Sequence, residues 1–518
     1  MLKRKFMATP SEKLAESLDI LKDIHGTGTV AIKSSDLTRT HRERLIKAGF
    51  LKEIIRGWYI TTRPDETTGE STSWFTSFWD FIAAYLQERF GDNWSLSPEQ
   101  SVILHAGNLT VPRQLLVRSP QARNQITTLP YETSIFETRA TIASSKEVEK
   151  NSHGLKLFSL ASALVNCSEP FYRNNPTETR TALATFRDAS EILQILLEGG
   201  HSVVAGRIAG AFRNIGRERI AHDILSGMRS AGYQVSENDP FQDPSPFSIP
   251  PRQISPFVNR MRLMWHSMRE PIIKIFPSDP GQPKDIEHYL KLVSDNFVND
   301  AYNSLSIEGY RVSEELIEKI RSGQWQPEQN DSDRQQRDAL AAKGYWEAFQ
   351  LVKKGVEAVL KEENSGTIAD QQHQNWYRAL FSPSVTAGII KASDLAGYRN
   401  QPVYIRRSKH VPPNSDAVKD LMHEFFDLLT KEPNAAVRVV LGHFIFVYIH
   451  PYIDGNGRIA RFLMNLFMAS GGYPWLIIPL AKRNEYMSAL EVASTQGNIG
   501  PFASFLAELI VEQDNKIN

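Results

Sequence analysis

A twelve-residue string near the carboxyl end holds the residue types needed to grip phosphate groups and move a proton. The string is HPYIDGNGRIAR, residues 450–461, and it lies between two strongly periodic apolar stretches. Gly455 and Gly457 allow backbone torsions and a close approach that side chains would forbid. The free NH groups at the start of the next helix carry a positive partial charge into the same space. The pattern therefore predicts an anion cradle between two helices.

Charged side chains flank this cradle. Arg458 and Arg461 are three residues apart, so both lie on one face of the first helical turn and can clamp phosphate oxygens. Asp454 offers an oxygen ligand for the Mg²⁺ that accompanies a nucleotide polyphosphate. An ordinary histidine titrates near neutrality, and His450 is held beside the cradle by Pro451, so it is a candidate general base. Each residue alone is common in structural loops, and it is their combination that favours a functional site.

The elements that must position this string are helices. Residues 258–518 follow the helical period, and they predict a mainly α fold with an all-helical carboxyl-terminal domain. The clearest helices in this half are predicted at residues 334–361, 416–431, 435–449, 458–470 and 485–495. One stretch departs from the pattern. The segment GYRNQPVYIRRSKHVPP, residues 397–413 and here called the flap segment, alternates from Val403 and predicts a short β-hairpin.

The string resembles the signature of Fic domains, HPF-x-D/E-GNGR-x-x-R, with Tyr452 in place of the phenylalanine. The resemblance covers residues 257–518. It implies an all-helical domain that transfers AMP from ATP to a hydroxyl side chain of a target protein and releases pyrophosphate. It also implies that His450 deprotonates the target Ser, Thr or Tyr and that Asp454 holds Mg²⁺. The residues implied to bind the phosphates are Gly455, Asn456 and Gly457 for the α- and β-phosphates, and Arg458 and Arg461 for the outer ones.

Two further segments extend this resemblance. The flap segment is similar to the family's flap, which pairs with the target's modified segment as an added strand. Its implied docking residues are Val403, Tyr404, Ile405 and Arg406. The stretch EYMSALEVAST is similar to the one that lines the adenosine pocket, and Tyr486 keeps its first aromatic residue. Met487 and Ser494 stand where many relatives have tyrosine and asparagine, so transfer of UMP or of another phosphate-linked group stays open.

A third segment resembles the inhibitory motif of autoregulated Fic proteins. It is Ser304-x-x-x-Glu308-Gly309, and the spacing of four places the serine and the glutamate on one helical face. The resemblance implies that Glu308 pairs with Arg461 and takes the space that the γ-phosphate needs. ATP would then bind in a pose that the target hydroxyl cannot attack in line.

The amino-terminal half is divided from this domain by a proline-rich linker at residues 239–257, which has six prolines in nineteen residues. Residues 1–63 predict two helices, the second capped by Ser34 or Ser35, then a strand pair, which is typical of a winged helix-turn-helix. This segment has 13 Lys and Arg against 7 Asp and Glu, so DNA contact is one hypothesis and protein contact the other. The candidate DNA contacts are Thr40, Arg42, Arg44 and Arg56.

Residues 64–238 predict a module that mixes helices with short strands. Their patterns resemble antitoxins of the AbiEi type in SLSPEQSVILHAGNLTVPRQLLVRS and in RNIGRERIAHDILSGMRSAGY. The resemblance implies a repressor-like or antitoxin-like module rather than a catalytic one. A second hypothesis for the whole chain is therefore a nucleotide-sensing transcriptional regulator or antitoxin with little transferase activity.

Composition narrows the setting of the protein. The 518 residues carry 59 Lys and Arg and 59 Asp and Glu, so the chain as a whole is not a polyanion-coating protein. Cys167 is the only cysteine, which excludes an intrachain disulfide and favours a reducing compartment. No run reaches the roughly 18 apolar residues of a membrane span. We expect a cytoplasmic protein without membrane contact, and the sequence leaves a homodimer open.

Overall fold

The computed structural model of the chain describes residues 9–26, 28–64, 66, 70–141, 147–245, 255–325 and 333–517. Contacts between Cα atoms divide the chain into two compact units. Unit 1 comprises Met1–Pro256 and Tyr404–Val411, and unit 2 comprises Phe257–Val403 and Pro412–Asn518. Residues 246–254 of the predicted linker lie outside the described residues. The sequence did not predict that part of the flap segment belongs to unit 1.

Unit 1 begins with a small three-stranded antiparallel sheet and two helices. The elements are α1 (Pro10–Gly26), β1 (Ala31–Lys33), α2 (Arg39–Lys47), β2 (Leu51–Ile55) and β3 (Trp58–Thr61), and the strand order is β1-β3-β2. The predicted strand pair is present as β2 and β3. The predicted cap of the second helix was wrong. Thr38, and not Ser34 or Ser35, caps α2, because its side chain accepts a hydrogen bond from the backbone of His41.

The rest of unit 1 joins a mixed sheet to helices. A four-stranded sheet has the order β4-β5-β7-β6, and its strands β5 and β7 are parallel. Most residues of α3 are buried, and many of them are aromatic. The elements are α3 (Thr72–Phe90), β4 (Ser95–Leu96), α4 (Pro98–His105), β5 (Gln114–Ser119), β6 (Gln125–Leu129), β7 (Thr133–Arg139), β8 (Val148–Lys150), β9 (Lys156–Phe158), α5 (Leu160–Asn166), α6 (Glu169–Asn174), α7 (Pro176–Ala184), α8 (Ser190–Gly199), α9 (Ser202–Asn214) and α10 (Glu218–Ser230).

The described part of unit 2 is helical, as the periodicity predicted. Its helices are α11 (Pro256–Ile275), α12 (Ile286–Asp295), α13 (Phe297–Ile307), α14 (Glu314–Arg321), α15 (Asp333–Leu360), α16 (Ser365–Thr386), α17 (Ser415–Lys431), α18 (Ala435–Ile449), α19 (Asn456–Ser470), α20 (Arg483–Gln496) and α21 (Gly500–Ile517). The centre of the unit is α18 packed on α19, and both are almost wholly buried. The glycine-rich loop, residues 450–455, joins these two buried helices.

The flap segment differs from its prediction. The described structure contains no strand at residues 397–413, where the alternation predicted a hairpin. Instead the chain runs without regular structure through Val403, Tyr404 and Ile405 and turns at Arg406 and Arg407, where Arg407 has φ +61°. A strand needs a partner edge, and alternation alone does not supply one. Among the described residues, no helix is long and apolar enough to cross a membrane.

Candidate active site

His450 is the residue that ends α18. Its backbone is left-handed, with φ +53° and ψ +60°, and its NH donates to the carbonyl of Phe446 at 3.0 Å. The ring nitrogen Nδ1 lies 3.2 Å from the carbonyl oxygen of Val447. Because a carbonyl only accepts hydrogen bonds, this contact places the ring proton on Nδ1. Nε2 is then the nitrogen whose lone pair is available to take a proton.

The environment of His450 favours the neutral ring. Burial lowers the pKa of the imidazole to about 4, against a smaller opposing effect of the hydrogen bond to Val447. At neutral pH the side chain is therefore an uncharged base. A general base must be in this form before it can accept a proton from a hydroxyl.

The loop after His450 is fixed by its own side chains. The Asn456 amide accepts from the NH of Tyr452 at 2.9 Å and donates to its carbonyl at 2.8 Å. The ring of Tyr452 stacks on Tyr377 with the two centroids 3.7 Å apart. Gly455 has φ +82°, a conformation that L side chains rarely adopt, and it lets α19 begin at Asn456. The helix thus starts two residues earlier than the predicted Arg458.

The start of α19 contains buried donors that lack partners. Arg458 is 1% exposed and lies between the rings of Tyr310 and Phe381. Its Nε and Nη2, and Nη1 of Arg461, make no hydrogen bond among the described residues, although Nη2 of Arg458 forms an ion pair with Asp454. Unpaired donors on buried cations are costly, so their presence indicates that an anion completes the site. The three atoms are therefore candidate donors for an anion.

Gly457 forms the floor of this cradle, and a carboxylate fills it. A Cβ added at Gly457 would lie 2.2 Å from Oε1 of Glu308 and 3.2 Å from Nη1 of Arg461. Arg461 Nη2 donates to Glu308 Oε1 at 2.7 Å, and its Nε donates to Ser304 Oγ at 2.8 Å. Gly309 follows with φ +90°, where α13 ends. The structure therefore brings Ser304 and Glu308 of the predicted inhibitory segment to the same arginine, and Gly309 follows at the end of the helix.

The charge of Arg461 is maintained by this pairing. Burial by itself would lower the pKa of the guanidinium, but the Glu308 carboxylate outweighs burial and holds that pKa above its ordinary value. The ion pair is almost completely enclosed on the arginine side and partly open on the glutamate side. A ligand that displaces Glu308 must therefore offer Arg461 an equally charged acceptor.

Asp454 could bind a metal ion only if a bound molecule supplied further oxygen atoms. Its side chain is 62% exposed, and its Oδ2 lies 3.4 Å from Nη2 of Arg458. In the described part of the chain, no group of three or more His, Cys, Asp or Glu side chains could hold a metal ion. Mg²⁺ is commonly bound by one or two carboxylates plus the phosphates of a substrate. A single exposed carboxylate beside the phosphate cradle fits that mode.

Tyr486 is placed differently from the phosphate-binding residues. It lies on α20, is 1% exposed, and its hydroxyl is 2.9 Å from Nε2 of His443. In this conformation it packs against the core below Arg461. The structure therefore brings together His450, the glycine-rich loop, both arginines and Glu308, and it buries Tyr486 against His443, Phe502 and Phe505.

Asp300 is a buried acid that the sequence analysis missed. It lies one helical turn before Ser304 on α13 and accepts a hydrogen bond from the hydroxyl of Tyr345 at 2.7 Å. Burial raises the pKa of its carboxyl to about 6, although the charge of Arg461 opposes this rise. The spacing of four to Ser304 was the available signal, because it places both residues on the face that meets Arg461.

Arg399 is a second residue that the sequence analysis missed. Its Nε donates to the carbonyl of His450 at 2.8 Å, and its Nη2 donates to the carbonyls of Pro413 at 2.5 Å and Ile449 at 3.3 Å. The backbone NH of Arg399 also donates to Pro451 at 2.9 Å. One buried guanidinium thus joins both ends of the flap segment to the backbone that presents His450. Such partners are backbone groups distant in sequence, so no motif reveals them.

We expect Arg399→Met to loosen the glycine-rich loop. Each buried carbonyl left without a donor costs about 1 to 3 kcal/mol, so a total near 3 kcal/mol would raise hydrogen exchange at residues 450–456 by about 100-fold. Arg438→Met is the matched control, because Arg438 also donates to a backbone carbonyl of unit 2, that of Glu432. Unchanged exchange at the loop in Arg399→Met would show that the loop does not depend on these hydrogen bonds.

The predicted DNA contacts are only partly available. Arg42 donates to the carbonyl of Ser34 at 2.8 Å, and Arg44 donates to the carbonyl of Lys13 at 2.5 Å and to Ser17 Oγ at 2.7 Å. These two arginines of α2 therefore bind the loop after β1 and the helix α1. Thr40 and Arg56 are exposed. DNA contact stays a prediction that depends on these last two residues.

Comparison with known proteins agrees with the geometry of unit 2. A sequence model of the Fic/DOC family matches residues 369–468. Protein adenylyltransferase Fic from Drosophila willistoni is 40% identical over 115 residues, which are 21% of this chain and 22% of that protein. The protein of the same name from Drosophila yakuba is also 40% identical over 115 residues, 23% of its length. The chain thus spans less than a quarter of the length of these relatives.

Solved structures give a weaker likeness. The structure described as Fic-1 (aa134–508) from C. elegans is 20% identical with a TM-score of 0.38, and the match covers 69% of this chain and 94% of that one. A Fic family protein from Desulfovibrio desulfuricans G20 is 21% identical with a TM-score of 0.36, over 52% of this chain and 77% of that one. The family match at residues 369–468 contains the base, the glycine-rich loop and both arginines. Residues 369–468 therefore carry a match to the Fic/DOC family.

Proposed function

We propose that the protein is a Mg²⁺-dependent protein adenylyltransferase that transfers AMP from ATP to a hydroxyl side chain and is restrained by Glu308. The observation that carries this proposal is the set of unpaired buried donors of Arg458 and Arg461 beside Gly457, a short chain distance from the neutral base His450. The name of the Drosophila relatives, protein adenylyltransferase Fic, supports it for the domain they share with this chain.

The proposed reaction uses the residues of the loop in distinct roles. Nε2 of His450 takes the proton of the target Ser, Thr or Tyr, and the oxygen attacks the α-phosphorus as the bond to pyrophosphate breaks. The NH groups at the start of α19 and Gly457 bind the inner phosphates. Arg458 and Arg461 bind the outer ones. Mg²⁺, held by Asp454 and the nucleotide, supplies neutralisation of phosphate charge.

Glu308 prevents the productive pose in this proposal. Its Oε1 lies where a side chain at Gly457 would lie, and it uses the Arg461 donor that the γ-phosphate needs. ATP can then enter only with its phosphates displaced, and its α-phosphorus is out of line with the attacking hydroxyl. Ser304 supports the restraint by holding Nε of the same arginine at 2.8 Å.

The position of a radioactive label tests the reaction class. The Glu308→Gly variant is incubated with Mg²⁺, a dialysed cell extract and ATP labelled at either the α- or the γ-phosphate. We expect protein-bound label from the α-labelled ATP alone, because pyrophosphate leaves with the γ-phosphate. Label from γ-labelled ATP would instead indicate phosphate transfer and contradict the proposal.

The same assay examines the base of the nucleotide. Excess unlabelled UTP should leave the α-label incorporation unchanged if the chain prefers ATP. Competition by UTP at equal concentration would indicate UMP transfer, which the departures at Met487 and Ser494 left open. Incorporation that persists after chelation of divalent cations would contradict the proposed dependence on Mg²⁺.

A further inference from the structure

The turn of the flap segment is anchored to unit 1 through one buried carboxylate. Glu70 is 3% exposed, and its Oε2 accepts from Arg406 Nε at 2.9 Å and lies 2.8 Å from Arg406 Nη2 and 3.5 Å from Arg407 Nε. Both arginines are more than half exposed. Two exposed arginine side chains therefore contact one buried carboxylate.

Glu70 is itself held by the first turn of α3. Thr72 donates through Oγ1 to Glu70 Oε1 at 2.7 Å, and the same Oγ1 accepts from the backbone NH of Arg407 at 3.2 Å. The hydroxyl of Tyr131 donates to the Glu70 carbonyl. Burial alone would raise the pKa of Glu70, but the hydrogen bonds from Arg406 and Thr72 outweigh it and keep that pKa below its ordinary value. Glu70 is therefore an ionised carboxylate that is held in place by Thr72 and Tyr131.

The contact continues along the segment beyond the turn. The NH of Val111 donates to the carbonyl of Lys409 at 3.0 Å, and Val411 packs against the core cluster that α3 contributes to. Arg407 is left-handed at φ +61°, a conformation that costs a non-glycine residue free energy unless its surroundings impose it. Contacts on both sides of Arg407 impose it here.

These contacts come directly after the residues that the family resemblance implies for docking of the target. Val403, Tyr404 and Ile405 come before the turn, and the side chain of Tyr404 is 41% exposed. A segment that pairs with an added strand binds more tightly when its backbone is already ordered, because ordering costs about 1 to 2 kcal/mol per residue. Fixing the turn thus prepares the preceding residues for docking.

We propose that Glu70 is a positioning residue for protein modification, because it fixes Arg406 and Arg407 and so holds the docking residues of the flap segment in one backbone conformation. The proposal rests on the proposed transferase function. The target is recognised through backbone pairing, so Glu70 acts on docking of the protein and leaves binding of ATP unaffected.

The test compares Glu70→Gln with its parent, both in the full chain and in a Glu308→Gly background. We expect hydrogen exchange at residues 402–411 to rise about tenfold and label transfer from α-labelled ATP to extract proteins to fall about tenfold, roughly the effect of 1.4 kcal/mol. The affinity for ATP, measured by calorimetry, should stay the same. A general folding defect would lower both transfer and ATP affinity, and this result would overturn the positioning role.

Two further variants keep the test decisive. Arg406→Gln changes an exposed side chain, so folding is not at issue, and it should reproduce the effects of Glu70→Gln. Because both residues act through one contact, the double variant should add little to either single one. Glu88→Gln is the matched control, since Glu88 makes an exposed ion pair with Lys33 in unit 1 at 3.0 Å.

The outcomes separate this proposal from the proposed function. Failure of the Glu308→Gly parent to transfer any label would refute the transferase function, whereas hydrogen exchange would still decide whether Glu70 anchors the segment. Unchanged exchange in Glu70→Gln and Arg406→Gln would overturn the anchor. Increased label transfer in these variants would also overturn the proposal, because it would show that unit 1 withholds the docking residues.

Discussion

Replacing His450 in a Glu308→Gly background is expected to lower AMP transfer by about 10² to 10⁴, the usual contribution of a general base. His450→Asn is the sharper variant. Asparagine tolerates the left-handed backbone that His450 adopts, whereas alanine adds a strain cost there. Its amide cannot accept the proton of the target hydroxyl, so the loss would report the missing base. The measurement is the rate of label incorporation from α-labelled ATP at saturating ATP.

ATP affinity and pH separate this role from a structural one. The calorimetric affinity for ATP should be unchanged in His450→Asn, because the phosphates are bound by α19 and its arginines. In the Glu308→Gly enzyme, a pKa near 4 keeps His450 neutral, so kcat/KM should not fall between about pH 8 and pH 6. His423→Ala, at an exposed histidine of α17, is the control. Transfer that persists in His450→Asn would identify another base.

Glu308→Gly is expected to raise AMP transfer at least about tenfold over the parent chain. The carboxylate occupies the Gly457 floor and holds Arg461 in a buried charge-assisted hydrogen bond, which is worth about 1.5 to 3 kcal/mol. Removing the carboxylate opens the space at Gly457 and frees the Arg461 donor for the γ-phosphate. The α-phosphorus can then lie in line with the attacking hydroxyl. The measurement is again label transfer from α-labelled ATP, including label on the chain itself.

A graded series distinguishes charge from volume. Glu308→Gln keeps the length of the side chain and loses its charge, so we expect an intermediate rate. Glu314→Gly is the matched control, because Glu314 is exposed in the first turn of α14. Equal labelling by the parent and by Glu308→Gly would exclude the restraint, even if the enzyme proves active.

Local sequence signals predicted the bounds of five helices of unit 2, α15 and α17 to α20, to within two residues, because their apolar residues recur at helical spacing. The prediction for α18 matched its observed bounds, residue for residue. The start of α19 was misplaced by two residues, since it depends on the left-handed Gly455 and on the hydrogen bonds between Asn456 and Tyr452, which the helical period does not contain. The cap at Thr38 was missed for a similar reason. Several Ser and Thr residues precede α2, and only the turn geometry selects one.

The composition of the site was readable from the string of residues 450–461, but its supporting contacts were not. Arg399 and Asp300 act through partners that are 14 to 51 residues away in the chain, and three of the Arg399 partners are backbone carbonyls. The prediction for the flap segment was wrong for a different reason. Its alternation suggested self-pairing, whereas Arg406 and Arg407 are satisfied by Glu70, more than 330 residues earlier.

His450 terminates one buried helix, and six residues later another begins. The carbonyl end of α18 carries partial negative charge, which stabilises the cationic ring that forms when His450 accepts a proton. The amide end of α19 carries the opposite sign, and in the proposed reaction it would face the departing pyrophosphate. The loop thus joins a negative helix end to a positive one, and in the proposed reaction each end would stabilise the charge that develops beside it.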